Sequence, residues 1–191
     1  MSGQPGAQGE ATIAASPVTL GSRVAGALTP VGSNSKYPIY VFAYDSSDGG
    51  KTWQGHQLPP SPAAIQCARR HHVATHSWMP SVRARYDGVY FFLYTDTCWG
   101  NGGAEAVLRS SSDGGHTWSP ISTAFAGIAH RPAVSIDVAR LAIDNGASSP
   151  TKGRIYVAFS EQVPSGNHIE LVWSDDSAIT WHSPVEVDGT A

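Results

Sequence analysis

The chain is poor in charge, in sulfur and in long apolar runs. Only 14% of its 191 residues are Asp, Glu, Lys or Arg, against about 25% in an average soluble domain. That scarcity excludes charge-rich disorder and long solvated helices. Lys and Arg number 12 against 15 Asp and Glu, so the chain has no basic footprint for nucleic acid. The longest apolar run, Val89 to Tyr94, is far too short to span a bilayer as a helix, and no membrane partner is expected. The only two cysteines, Cys67 and Cys98, lack the CxxC spacing of a metal site. They either close a disulfide, worth about 3–4 kcal/mol in loop entropy if the chain is exported, or stand as two buried thiols. Phosphate loops, GxSxG elbows, dinucleotide fingerprints and heptads are absent too, and no cofactor is expected. The opening Met1-Ser-Gly-Gln-Pro-Gly has no apolar core. The expectation is a sequence without a signal peptide as given, either trimmed or read from within a longer protein.

What is abundant is turn formers and aromatics: 20 Gly, 13 Pro and 6 Trp. These point to an all-β fold of many short strands. Self-comparison sharpens this. Ser46-Ser-Asp48-Gly-Gly50-Lys-Thr52-Trp53 returns as Ser111-Ser-Asp113-Gly-Gly115-His-Thr117-Trp118. It returns again as Ser174-Asp-Asp176-Ser-Ala178-Ile-Thr180-Trp181, with Ala178 where the second glycine stood, and the tryptophans stand 65 and then 63 residues apart. Gly88-Val-Tyr-Phe-Phe-Leu-Tyr-Thr-Asp96 aligns without gaps on Gly153-Arg-Ile-Tyr-Val-Ala-Phe-Ser-Glu161. Such continuous apolarity suits a strand covered on both faces.

The runs Ile39–Tyr44, Ala106–Arg109 and Ile169–Trp173 read as the strands before each motif, and Ser183–Asp188 as a closing strand. The middle unit then holds strands over Pro80–Arg85, Gly88–Asp96, Glu105–Ser110 and Ser119–Ala124. Four-stranded units at near-constant spacing predict a β-propeller. The chain reads as one partial domain, 1–191, with blade one over about 11–62, blade two over 77–126 and blade three over 131–190. Within each motif the Asp can accept backbone N–H bonds across a turn. The glycines supply φ > 0, Ser and Thr bond locally, and Trp folds over the hairpin. These residues are read as scaffold. Ala178 is expected to weaken the third turn or change its type.

The pattern Ser-x-Asp-x-Gly-x-Thr-Trp resembles the Asp-box (BNR repeat), and the chain resembles the sialidase (neuraminidase) superfamily of propellers over nearly its whole length. Thr117-Trp-Ser-Pro120 and Ser149-Pro-Thr-Lys-Gly-Arg-Ile-Tyr-Val-Ala-Phe159 are similar to repeats of bacterial sialidase-like proteins. The resemblance implies a six-bladed fold, a glycan ligand, a secreted or extracytoplasmic location, and glycoside hydrolysis at terminal sialic acids. Asp-boxes also occur in sortilin-type receptors, xyloglucan hydrolases and assembly factors, so a glycan- or protein-binding module and a structural propeller stand as alternatives. Three blades are an incomplete ring, and its end faces should expose apolar surface for remaining blades or a second copy.

Sialidases clamp the substrate carboxylate with three arginines and use a Tyr–Glu nucleophile pair and an Asp acid/base. The first arginine sits in an Arg-Ile-Pro sequence. Trp78-Met79-Pro80 stands there in blade two and Arg140-Leu141-Ala142 in blade three, and the loops Thr97–Ala104 and Gln162–His168 contain no Asp. The full catalytic set therefore does not carry over. The remaining catalytic candidates are Asp96 and Glu161, which end equivalent strands, and Arg140. Arg83, Arg131 and Arg140 are candidates for gripping a carboxylated sugar, and Trp99 for stacking on a sugar face. Each has a plain alternative as a salt bridge or a loop anchor. His71, His72 and His76 show neither HExxH nor helical periodicity, so the segment is read as an interblade loop without metal.

Overall fold

The computed structural model describes residues 9–30, 38–98, 104–126, 135–163 and 166–189. Its strands run in chain order as three antiparallel meanders of four. The first is β1 (Gly9–Ala15), β2 (Arg23–Pro30), β3 (Ile39–Ser46) and β4 (Gln54–Leu58). A helix, α1 (Pro62–His71), leads into β5 (Thr75–Ala84), β6 (Tyr90–Cys98), β7 (Ala104–Ser111) and β8 (Ser122–Ala126). The third is β9 (Ser135–Ile143), β10 (Ile155–Val163), β11 (Gly166–Ser174) and β12 (Val185–Glu186). Among the described residues a single parallel pair, Ile39 with His76, links the first two meanders, and the third is a separate sheet. Each meander's first strand faces the next one's, with β5 packed between β1 and β9. The all-β class and the open propeller-like arrangement follow from this order.

Alternation along β6 explains its unbroken apolar sequence. Tyr90, Phe92 and Tyr94 point into a core with Val24, Val41, Ala43 and Leu58 of the first meander. Phe91 and Leu93 point the other way, onto Ile136, Leu141, Ile155, Val157 and Phe159 of the third. The middle meander is covered on both faces, so period-two patterning disappears there. In β10 the alternation returns: Ile155, Val157 and Phe159 are buried, while Tyr156, Ala158 and Ser160 on the outer face are only half-buried. Ile13, Val138, Val185 and Val187 are each about half exposed or more.

The three repeated turns share one hydrogen-bond scheme. Ser46 Oγ donates to Asp48 Oδ1 (2.8 Å) and accepts from Gly50 N–H (2.9 Å), while Thr52 donates from N–H (2.9 Å) and Oγ1 (2.7 Å) to Asp48. The second copy repeats it through Ser111, Asp113, Gly115 and Thr117. The third keeps it as well, with Ala178 N–H on Ser174 Oγ at 2.9 Å, so the turn type does not change at Ala178. The cost falls on the backbone instead, with Ser177 at φ 62° and Ala178 at φ 68°, a region unfavourable to residues with a Cβ. The Thr bonds hold the Asp48 carboxyl well below the usual range, and they hold Asp176 down at about 2. Partial burial works against the same bonds at Asp113, which still sits at about 2.

Two other expectations need correction. Residues 62–71 are helical, and His76 lies buried in β5. Ser61 caps the helix by accepting Ala64 N–H (3.0 Å), a proline occupies the first turn, and Ala64 and Ala68 face inward. An i, i+4 pair of alanines is too small a stripe to register as helical periodicity. The closing strands are also shorter or displaced, at Ser122–Ala126 and Val185–Glu186, because outer strands pair on one side only.

Candidate functional site

The inner strands β1, β5 and β9 carry the same irregularity at the same height. Pairing steps from Gly9–Leu28 to Thr12–Gly26, from Trp78–Thr95 to Ser81–Leu93, and from Asp137–Ser160 to Arg140–Ala158. Each time two residues oppose one, which is a β-bulge. The first bulge residue is Glu10, Met79 or Val138, at φ 52°, 54° and 52°. Left-handed backbone at non-glycine residues costs about 1–2 kcal/mol each, and strain of this kind concentrates at functional sites.

The bulges are stitched across the meanders. Glu10 Oε2 accepts Met79 N–H at 2.6 Å, and Met79 Sδ accepts Val138 N–H at 2.8 Å. One step along, Thr12 Oγ1 accepts Val82 N–H (3.3 Å) and Ser81 Oγ accepts Leu141 N–H (3.4 Å). This register also corrects the sequence alignment: Trp78-Met79-Pro80 corresponds to Asp137-Val138-Ala139, and Arg140 corresponds to Ser81 and Thr12. The connection from β9 to β10 is longer than that from β5 to β6, which hid the offset.

A cleft of about 260 Å³ opens over these strands, lined among others by Glu10, Thr12, Met79, Ser81, Arg83 and Arg140. Both arginines are exposed. Each is braced by one bond to its own strand, Arg83 to Val82 O (2.7 Å) and Arg140 to Ala139 O (2.9 Å). A guanidinium has five donors, so one bracing bond leaves a fork able to take a carboxylate. Two of the arginines singled out in the sequence thus meet in one cleft. Glu10, which no sequence pattern marked, meets them there.

Asp96 and Glu161 do not line this cleft. Asp96 is fully buried in β6, where its oxygens accept Ser77 Oγ–H and Ser61 N–H, both at 2.5 Å. Burial, with the neighbouring Glu105 charge, raises its carboxyl to about 7 against the opposing hydrogen bonds. It holds the entry to α1, as a loop partner would. Glu161 is buried in β10 opposite His168 and Ile136. Cys67 and Cys98 form a disulfide with Cα atoms 5.9 Å apart, which ties α1 to the end of β6. Trp99 and Arg131 lie outside the described residues.

No family model and no curated protein matches the chain. Solved structures do. A Hadza microbial sialidase, Hz136, aligns at a TM-score of 0.67 and 16% identity, over 93% of this chain and 37% of the other. The leech intramolecular trans-sialidase complexed with 2,7-anhydro-Neu5Ac aligns at 0.63 and 11%, over 95% and 44%. Trypanosoma rangeli sialidase in complex with sialic acid aligns at 0.57 and 16%, over 92% and 30%. The chain therefore has a sialidase-like propeller fold and spans less than half the length of these proteins.

Proposed function

We propose that the chain is the three-blade portion of a sialidase-type propeller, whose cleft over β1, β5 and β9 binds the carboxylate of an acidic sugar. The observation that carries this reading is the convergence of Arg83 and Arg140, from neighbouring inner strands, on one open cleft. Two guanidiniums on fixed strands provide charge and planar donors for a single carboxylate. Thr12 and the carboxylate of Glu10 provide partners for sugar hydroxyls. In a complete ring the same cleft would serve hydrolysis of terminal sialic acids. Binding without turnover is the second reading, favoured by the burial of Asp96 and Glu161 away from the cleft. The Cys67–Cys98 bridge supports an oxidising, extracytoplasmic location.

Calorimetric titration with 3′-sialyllactose tests the site. Saturable binding is expected, weakened about tenfold to a hundredfold by Arg83→Ala or Arg140→Ala. Equal affinity for neutral lactose would overturn it. A fluorogenic sialoside offered to the full-length protein separates the two readings, since only the hydrolase releases the fluorophore.

A further inference from the structure

A second cluster lies between the first two meanders, away from the cleft. Asp45, at the end of β3, is buried at 4% exposure. Its Oδ1 lies 2.7 Å from His56 Nε2 of β4, and its Oδ2 lies 3.0 Å from His116 Nδ1. His116 comes from the second repeated turn, fixed on both sides by the Gly115 and Thr117 bonds to Ser111 and Asp113. A Cβ on Gly115 would sit 3.0 Å from Asp45 Cβ, so the missing side chain is what lets this turn close on Asp45.

We propose that Asp45, His56 and His116 form a zinc-type divalent metal site that staples the first meander to the second. One carboxylate oxygen and two imidazole nitrogens are a ligand set typical of Zn²⁺. The three ligand atoms lie within 4.8 Å of one another, and a tetrahedron with bonds of about 2.0–2.1 Å places its ligands about 3.4 Å apart. The histidines now meet opposite oxygens of Asp45, at 2.7 and 3.0 Å, so admitting the ion means that the carboxylate turns one oxygen toward both imidazoles. On binding, each imidazole presents a lone pair in place of the N–H that Asp45 now accepts, and each proton it gives up goes to its other nitrogen or to solvent. Asp45 and His116 line a cavity of about 270 Å³ that Asp87 and Asp113 also line, and those acidic groups favour cation entry. The staple has a structural use, because Ile39–His76 is the only backbone bridge between these meanders among the described residues.

The test is calorimetric titration of ZnCl2 into chelator-treated protein, with Co²⁺ absorption as a check on tetrahedral nitrogen–oxygen ligation. One saturable site is expected, with a rise in Tm that EDTA reverses. His56→Ala and His116→Ala should each weaken it more than about tenfold. His116 is 53% exposed, so its replacement keeps the fold, and circular dichroism verifies this. The solvent-facing group His168, Glu186 and Asp188 is the control, and His168→Ala should leave the affinity unchanged. The proposal is overturned by no saturable binding in the parent protein, by full binding in His116→Ala, or by loss of binding in His168→Ala.

Discussion

Two glycines in equivalent kinds of turn do different work. Gly49 has φ +80° but open space where a Cβ would go. Gly115 has φ +101°, and a Cβ there would lie 2.7 Å from Val24 Cγ2. Gly49→Ala should therefore cost about 1 kcal/mol, the backbone penalty alone. Gly115→Ala should cost about 3 kcal/mol or more, because it also forces the two meanders apart. Urea unfolding of both variants checks this, and the reverse order of costs would refute it. Asp96 gives a pH prediction. Its folded pKa of about 7 lies above the ordinary 3.8, so between those values the folded state binds more protons than the unfolded one. Stability must then fall as pH rises from about 4 to 7. The low carboxyls of the repeated turns act on the opposite side, losing their contribution as pH falls from about 4 to 2. Asp96→Asn keeps an acceptor for Ser61 and removes the titration. Unfolding free energies at pH 5 and pH 8 should drop for the parent and stay level for the variant.

At the level of elements, α1 interrupts an otherwise all-strand order, and its ends are held from outside. Ser61 N–H bonds Asp96, Cys67 is bridged to Cys98, and the turn after His71 closes with His72 at φ 54°. Signals for it were in the chain: Ser61 before Pro62, and Arg69, Arg70 and His71 in the last turn. The periodicity is what fails to announce the helix, because the inward stripe is only two alanines. Cys67 and Cys98 are 31 residues apart, so reducing the bridge should cost about 3–4 kcal/mol. The Cys67→Ser, Cys98→Ser double variant should match the dithiothreitol-treated parent in denaturant midpoint. A midpoint unmoved by reduction would mean that the Ser61–Asp96 bond and the packing under Ala64 and Ala68 hold the helix without the bridge.

Across the whole molecule, the repeated turns and the Tyr90–Asp96 run made blade number and strand order legible, because turn chemistry and two-sided burial are local demands. The cleft was legible only in part. Arg83 and Arg140 stood out by type, but their meeting with Glu10 depends on bulges whose register no single strand reveals. The Asp45, His56 and His116 group joins two meanders and has no sequence spacing at all. The same division into local sheets and shared interfaces predicts how the molecule comes apart. Phe92 serves the interface with the first meander and Phe91 the interface with the third, though both sit side by side in β6. Replacing either with Ala should cost about 3–5 kcal/mol, yet the losses should surface at opposite ends. Hydrogen exchange followed by mass spectrometry should show Phe92→Ala lowering protection mainly in β2 and β3. Phe91→Ala should lower it mainly in β9 and β10. Uniform loss of protection in both variants would mean that the three meanders unfold as one cooperative unit rather than as stacked neighbours.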